Sequence, residues 1–319
     1  MNKYGFVHIH SHTEMSMLDG GAKIKDIITK VHSMGQTALA TTDHGNMHVS
    51  VKAHKIAHQI GIKHIVGCEL YTAPWGRKAQ DKKFAKGERS GYHLVALAKT
   101  HKGYQNLCKL SSLGYTEGFY RRPRVDMDML AQLKDDIIIT SACIGGAIPQ
   151  AILAGDFELA NQQIEWFASQ FGEDFYLELQ NHKIADEKFV NAYLKDIAQR
   201  KGIPLSVGID AHYLNKEDGP THDALICIGT GQTVDGERRY KFQGEGYYYM
   251  SEQEVVDLFP SDIEAIKNTG VIASKVDDQV IRFGEIALPY FDVQSDSEFE
   301  AWKNRGVINT WNLQSKNSI

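Results

Sequence analysis

Short apolar runs rich in Val, Ile, Leu and Phe alternate along most of this chain with stretches whose apolar residues recur at helical spacing. The runs predict strands over residues 6–10, 38–42, 64–71, 93–98, 137–141, 175–179 and 204–209, and the stretches between them predict helices over 22–34, 50–60, 104–113, 126–133, 158–171 and 185–201. Gly35, Gly61, Gly172 and Gly202 each follow one of these helices, where a residue free to adopt positive φ closes the last turn. Strand runs interleaved with helices imply an α/β fold with a mostly parallel sheet, closed into a barrel. From about residue 215 the pattern changes to a small appendage. It holds a turn-like stretch from Gly229 to Thr233, the aromatic run Tyr247-Tyr248-Tyr249, and helical patterns over 252–258 and 262–275. Residues 295–319 are polar with isolated anchors (Phe299, Trp302, Trp311) and resemble a tail.

Composition narrows this picture only slightly. The 319 residues suit one α/β barrel plus an appendage, and 42% hydrophobic with 24% charged residues is ordinary for a water-soluble globular chain. No run approaches the ~18 apolar residues of a membrane helix. The N-terminus enters the first strand directly, so the expectation is a cytoplasmic protein without a signal peptide or membrane partner. Cys68, Cys108, Cys143 and Cys227 are far apart and form no CxxC pair, which argues against a disulfide framework or zinc ribbon. A formal net charge of -5 argues against a protein that coats nucleic acid by bulk electrostatics, but not against one that grips a few phosphates locally.

The chemistry is concentrated at strand ends. The first run leads into His8, His10 and His12, spaced so that a strand would turn all three to one face, and imidazole is the commonest metal ligand. Asp19 follows on the loop, the second run ends in Asp43-His44, the third carries Glu69, the fifth runs into Cys143, and the seventh into Asp210-Ala211-His212. Singly these have ordinary explanations: Asp19-Gly20 is a turn pair and a lone cysteine is usually a buried apolar residue. Together they put metal-competent groups at the edge where βα barrels place their functional side chains. His93 precedes its run, so either its strand runs antiparallel or His93 is not a ligand; the family resemblance given next favours the antiparallel strand. The pair Asp126 and Asp128 opens a helix after a proline-containing turn and is assigned to N-capping.

These motifs resemble the polymerase-and-histidinol-phosphatase (PHP) domain, and more closely the PHP domain of bacterial C-family replicative polymerases, the DNA polymerase III alpha subunits. The resembling stretches run from His10-Ser11-His12 through Asp19-Gly20, then Thr42-Asp43-His44-Gly45-Asn46, Gly67-Cys68-Glu69-Leu70-Tyr71, and Tyr92-His93 through Lys99. Gly118-Phe119-Tyr120-Arg121-Arg122-Pro123-Arg124-Val125-Asp126, Asp210-Ala211-His212-Tyr213 and residues 242–249 continue the series. The likeness covers about residues 4–291, divided into a barrel core over 4–214 and the appendage over 215–291.

The resemblance implies a distorted (β/α)7 barrel with its metal site at the C-terminal strand ends. It implies nine metal-binding positions at His10, His12, Asp19, His44, Glu69, His93, Cys143, Asp210 and His212, all holding competent side chains here, with His8 as an outer supporting residue. His12, Asp19 and Asp210 are the implied catalytic residues. Five imidazoles, three carboxylates and one thiol shared among up to three divalent ions leave coordination positions open and the site net positive, which suits a phosphodiester. These mixed donors suit zinc, manganese or iron better than magnesium. Arg121, Arg122 and Arg124 are candidate phosphate contacts, and the basic stretch over 78–89 is expected to be a loop. The implied activity is a metal-dependent 3′–5′ exonuclease that proofreads DNA ends in replication, with DNA 3′ ends and the remaining polymerase domains or replisome subunits as partners. Two alternatives are a non-catalytic, metal-braced scaffold and a small-molecule phosphatase of the histidinol-phosphatase kind, the latter expected to lack the 242–249 region. Residues 292–319 do not resemble the family, and without palm and fingers the chain is expected not to polymerise DNA alone.

Overall fold

A computed structural model describes residues 2–80 and 89–284. Its strands are β1 (Ala38–Thr41), β2 (Lys63–Thr72), β3 (Tyr92–Ala98), β4 (Arg124–Val125), β5 (Ile137–Thr140), β6 (Phe175–Leu179) and β7 (Leu205–Val207). They form one sheet in the order β1-β2-β3-β5-β6-β7, with β4 pairing β2 off this path. The pairs β1–β2, β5–β6 and β6–β7 are parallel, whereas β3 is antiparallel to both neighbours. The antiparallel strand expected from His93 is therefore present. It pairs His93 with Tyr71, at the same end of the sheet as the C-terminal end of β2.

The first apolar run departs from expectation. Residues 6–12 make no ladder but lie between the two outer strands through isolated parallel bridges, His8 with Leu39 and Ser11 with Ala211. Ala40 N donates to His8 O (2.8 Å), and His12 N donates to Ala211 O (2.8 Å). This segment links the two ends of the sheet, and Phe6, Val7 and Ile9 are buried in the core. A continuous strand is not needed once the flanking backbones satisfy its amides.

Helices α1 (Ile24–Ser33), α2 (Ser50–Ile60), α3 (His101–Thr116), α4 (Met127–Gln132), α5 (Ala147–Leu153), α6 (Phe157–Phe171), α7 (Ala185–Lys201), α8 (Gly219–Thr230), α9 (Glu252–Leu258) and α10 (Ile263–Ser274) complete the described fold. Most follow the apolar periodicity. Asp126 caps α4 by accepting from Met129 N, as the N-cap reading required. Two were not anticipated. Helix α5 carries Pro149 within its first turn, where a missing N–H costs nothing. Helix α8 runs through Gly229 and Thr230 and ends only at Gly231, whose φ of +65° closes it, so the supposed turn is a helix end.

Residues up to Ile281 form one compact unit, and Arg282–Ile319 a second, of which only residues 282–284 are described. Most of the basic stretch over 78–89 and the whole 292–319 tail lie outside the described residues. Among the described residues, no helix is long and apolar enough to cross a membrane.

The segment after residue 214 braces the barrel rather than extending from it. Tyr247 O accepts from His212 N (2.8 Å) and Tyr213 N (3.1 Å). The hydroxyl of the fully buried Tyr249 donates to His12 O (2.9 Å). The Glu252 carboxylate accepts from Tyr4 N (2.9 Å) and Phe6 N (3.0 Å). The aromatic run thus holds the backbones of two candidate ligands, and α9 holds the entry to the first segment.

Candidate metal centre

All nine sequence-predicted donors converge at one end of the sheet. Glu69, fully buried in β2, lies at their centre. Its carboxylate is 3.3 Å from His10 Nε2, 2.7 Å from His93 Nδ1 and 3.9 Å from Cys143 Sγ, and it also contacts His44 Nδ1. Asp210 Oδ1 lies 3.2 Å from His10 Nε2 and 3.1 Å from His12 Nε2. Asp19 closes the far side, with Oδ2 2.9 Å from His44 Nε2 and Oδ1 3.8 Å from His212 Nε2. Three groups bring their ligand atoms within 4.8 Å of one another: His12, His44 and His212; His10, His12 and Glu69; and Glu69, His93 and Cys143.

Local backbone geometry puts these groups there. Asp210 adopts φ +50° and Ala142, beside Cys143, φ +58°, left-handed turns that L-residues other than Asn and Asp seldom make. At Gly20 a Cβ would run into the Thr13 carbonyl, so Asp19-Gly20 is a turn pair that also delivers a carboxylate.

A second layer fixes which ring nitrogen faces inward. Glu178 Oε1 accepts from His10 Nδ1 (2.7 Å), and the Glu178 carboxylate is held by Gln180 Nε2 (2.7 Å) and the Thr140 hydroxyl. The Ser16 hydroxyl donates to Asp43 Oδ1 (2.8 Å) and so accepts from His12 Nδ1 (2.8 Å). Asp210 O accepts from His212 Nδ1 (2.7 Å). In each ring the opposite nitrogen, Nε2, then faces the cluster and is the atom a metal ion would take.

Those atoms face one another and have no hydrogen-bond partner outside the cluster. His10 Nε2, His12 Nε2, His212 Nε2, His44 Nδ1, Glu69 Oε2, Asp19 Oδ1 and Asp210 Oδ1 are all buried, and none makes a conventional hydrogen bond. Buried polar atoms are normally satisfied, so a convergent set of orphan acceptors is what a cation site needs. The donor set fits divalent metal ions.

The electrostatics agree. Burial opposes charge on Glu69, but His93, His44 and His10 outweigh it and hold its carboxyl well below the usual range. Burial is likewise overcome at Asp210 by His10, His212 and His12, and at Asp19 by His212, His222 and His44. His12 goes the other way: burial, reinforced by His212 and His44, lowers it to about 3, keeping it a neutral donor. Burial, then Asp210 and Glu69, push the Cys143 thiol well up, so it stays protonated until a cation offsets that cost.

Two sequence expectations need correction. Arg124 is 1% exposed, and its guanidinium donates to the carbonyls of Gly118, Ser90, Arg77 and Ala79. Its donors are spent on its own loops. His8 bonds Met250 O (3.0 Å), packs edge-on to Phe6 and Tyr249, and hydrogen-bonds no candidate donor among the described residues. By contrast, Arg121 and Arg122 line a cavity whose wall includes Asp19 and His44.

Sequence reasoning missed four residues. Glu178 had a usable signal, a carboxylate inside the otherwise apolar strand β6, where an ionisable group requires a partner. Asp43 and Ser16 stood within recognised motifs but were not assigned. His222, on α8, had no local signal. It is buried with Nε2 unpaired and 3.7 Å from Asp19 Oδ1.

The chain is similar to several known proteins. The PHP domain family matches residues 8–182. The chain is 44% identical over 292 residues to the DNA polymerase III subunit alpha of Borreliella burgdorferi, covering 90% of this chain and 25% of that protein. It is 38% identical over 298 residues to the same subunit of Treponema pallidum, covering 92% and 25%. It therefore spans about a quarter of the length of the curated relatives it matches. Among solved structures, a two-domain protein from Bacteroides vulgatus containing a predicted PHP-like metal-dependent phosphoesterase is 14% identical with a TM-score of 0.40, covering 65% of this chain and 52% of its own. With the family's match extending over more than half of its length, this chain belongs to the PHP domain family.

Proposed function

We propose that the cluster binds divalent metal ions, zinc, manganese or iron before magnesium, and hydrolyses phosphodiesters as a 3′–5′ exonuclease on DNA. The reading rests above all on the buried, unpaired donor atoms of His10, His12, Asp19, His44, Glu69, Asp210 and His212 facing one another. His93 and Cys143 complete the set on the far side of Glu69. Metal ions held there supply Lewis acidity toward phosphoryl oxygens and lower the pKa of water.

The chain's own residues do the rest. Glu178, Ser16 and the Asp210 carbonyl hold the rings of His10, His12 and His212 in one tautomer. Asp19 lies at the cavity mouth, partly exposed, where it can orient an entering phosphodiester or water. Asp210, tied to His10 and His12, holds the inner side of the site. The sequence similarity to replicative polymerase subunits supports DNA 3′ ends as substrate, and the rest of such a subunit, or its replisome partners, as the surrounding assembly.

The test is incubation of the metal-loaded chain with 3′-labelled single-stranded DNA, mismatched duplex and a generic phosphomonoester. Stepwise 3′ shortening, lost in His12→Ala, Asp19→Ala and Asp210→Ala, is the expected result. Turnover of the phosphomonoester alone would instead make this a small-molecule phosphatase, and tight metal binding with no turnover a braced scaffold.

A further inference from the structure

Two cavities stand out among the described residues. The larger, 670 Å³, lies beside α8 and residues 241–250 and reaches the cluster region only through His222. The other, 550 Å³, has Asp19 and His44 in its wall and so opens directly on the candidate metal centre. Its volume falls within the ~300–1,000 Å³ of small-molecule sites.

The second cavity is lined by aromatic and cationic side chains as well as by the candidate donors. Tyr71, Tyr115, Phe119 and Tyr240 contribute aromatic faces, and Arg121 and Arg122 contribute guanidinium groups. Phe119 and Tyr240 are 56% and 58% exposed, and Tyr115 and Phe119 stack on each other at 6.1 Å. Arg122 is held in place, with Nη1 donating to the Tyr71 hydroxyl (2.7 Å) and its guanidinium over the Tyr71 ring at 5.0 Å. Tyr71 itself packs 6.1 Å from the His44 ring. The order is thus candidate metal donors, then a cation, then open aromatic faces.

We infer that this cavity is a nucleobase subsite: a base flanking the scissile phosphate stacks on Phe119 and its aromatic neighbours while Arg122 contacts the strand's phosphate. This inference rests on the hydrolase reading and deepens it, because it makes unpaired single-stranded nucleic acid the substrate class. Aromatic stacking tolerates any base, and arginine adds charge without reading sequence. A stacked base must also be free of its complementary strand, which a mismatched or frayed 3′ end provides. A small phosphomonoester would leave the rings unused.

The experiment uses the 319-residue chain and a phosphorothioate-linked, hydrolysis-resistant oligonucleotide carrying 2-aminopurine at its 3′ end. Wild-type protein should quench the 2-aminopurine fluorescence on binding. Phe119→Ala and Tyr240→Ala, both exposed positions outside the donor set, should abolish the quench and weaken binding roughly 5- to 150-fold, the range for losing one base–aromatic stack. An abasic residue at the 3′ or penultimate position should weaken wild-type binding by a similar factor but leave Phe119→Ala little changed. Variants that bind and quench like wild type overturn the subsite, as does a wild-type chain that binds no oligonucleotide. Hydrolysis of the ordinary oligonucleotide, followed in parallel, separates the two ideas. Quenching without cleavage keeps the subsite and removes the exonuclease, whereas cleavage with unaffected variants does the reverse.

Discussion

Replacing Glu178 with glutamine is expected to weaken metal binding about tenfold while leaving the chain folded. Glu178 Oε1 accepts from His10 Nδ1 at 2.7 Å and from Gln180 Nε2 at 2.7 Å, and its other oxygen takes the Thr140 hydroxyl. A glutamine can keep its carbonyl toward His10 and Gln180 and turn its amide toward the Thr140 oxygen. The shape and the hydrogen-bond count survive, and only the negative charge behind His10 is lost. A charge-assisted hydrogen bond is worth about 1.5–3 kcal/mol net and a neutral one about 0.5–1.5, so the difference is roughly 1–1.5 kcal/mol. At 1.4 kcal/mol per decade this is about one decade of affinity, the lower end of the 10–100-fold typical of second-layer changes. Glu178→Ala is the wrong probe, because it orphans three buried groups and costs several kcal/mol of stability. The assay is competition for Zn²⁺ or Mn²⁺ against a chromophoric chelator, with thermal melting of the metal-free protein as the folding control. Unchanged affinity in a folded Glu178→Gln protein would refute the claim that this carboxylate sets the donor strength of His10.

Three further outcomes follow from the same structure. Arg124→Met leaves four loop carbonyls without their donor and should cost about 3 kcal/mol, a Tm loss of roughly 5 °C; an unchanged Tm with weakened DNA binding would restore Arg124 as a substrate contact. His64 is buried and lowered to about 3, first by burial and then by His54, with Nε2 bonded to the Thr41 hydroxyl. The unfolded chain therefore takes up a proton below pH 6.5 that the native state refuses until about pH 3, so stability falls as pH drops through that window. Between pH 7.5 and 5 the loss is about 2 kcal/mol, and urea melts of His64→Gln should show a flatter acid limb than wild type. Finally, adding Zn²⁺ or Mn²⁺ to chelator-treated protein should raise Tm with metal concentration, since orphan buried donors gain partners only in the native state; an unresponsive Tm in both wild type and His10→Ala would remove the metal centre.

Most of the donor set was legible along the chain because its residues occupy strand ends, and strand ends of βα units lie together by construction. Periodicity located nearly every helix, and the position of His93, read with the family resemblance, pointed to the reversed strand β3. Second-layer residues were harder. Glu178 and Asp43 act across the sheet on rings from another segment, so nothing in their own neighbourhood names the partner. Arg124 was misassigned because an arginine in a basic loop reads the same whether its guanidinium meets phosphate or four carbonyls.

The sequence by itself determined the residue types, their order along a βα framework, and hence the family and the end of the sheet where chemistry gathers. Only the tertiary structure decided which nitrogen of each ring faces inward, that residues 6–12 join the two outer strands without a ladder, and that residues 247–249 brace the ligand backbones from behind. The physical reason is range. Periodicity and capping act between residues a few positions apart, whereas tautomers, orphan atoms and enclosed cavities are set by groups that meet only after the chain has closed on itself.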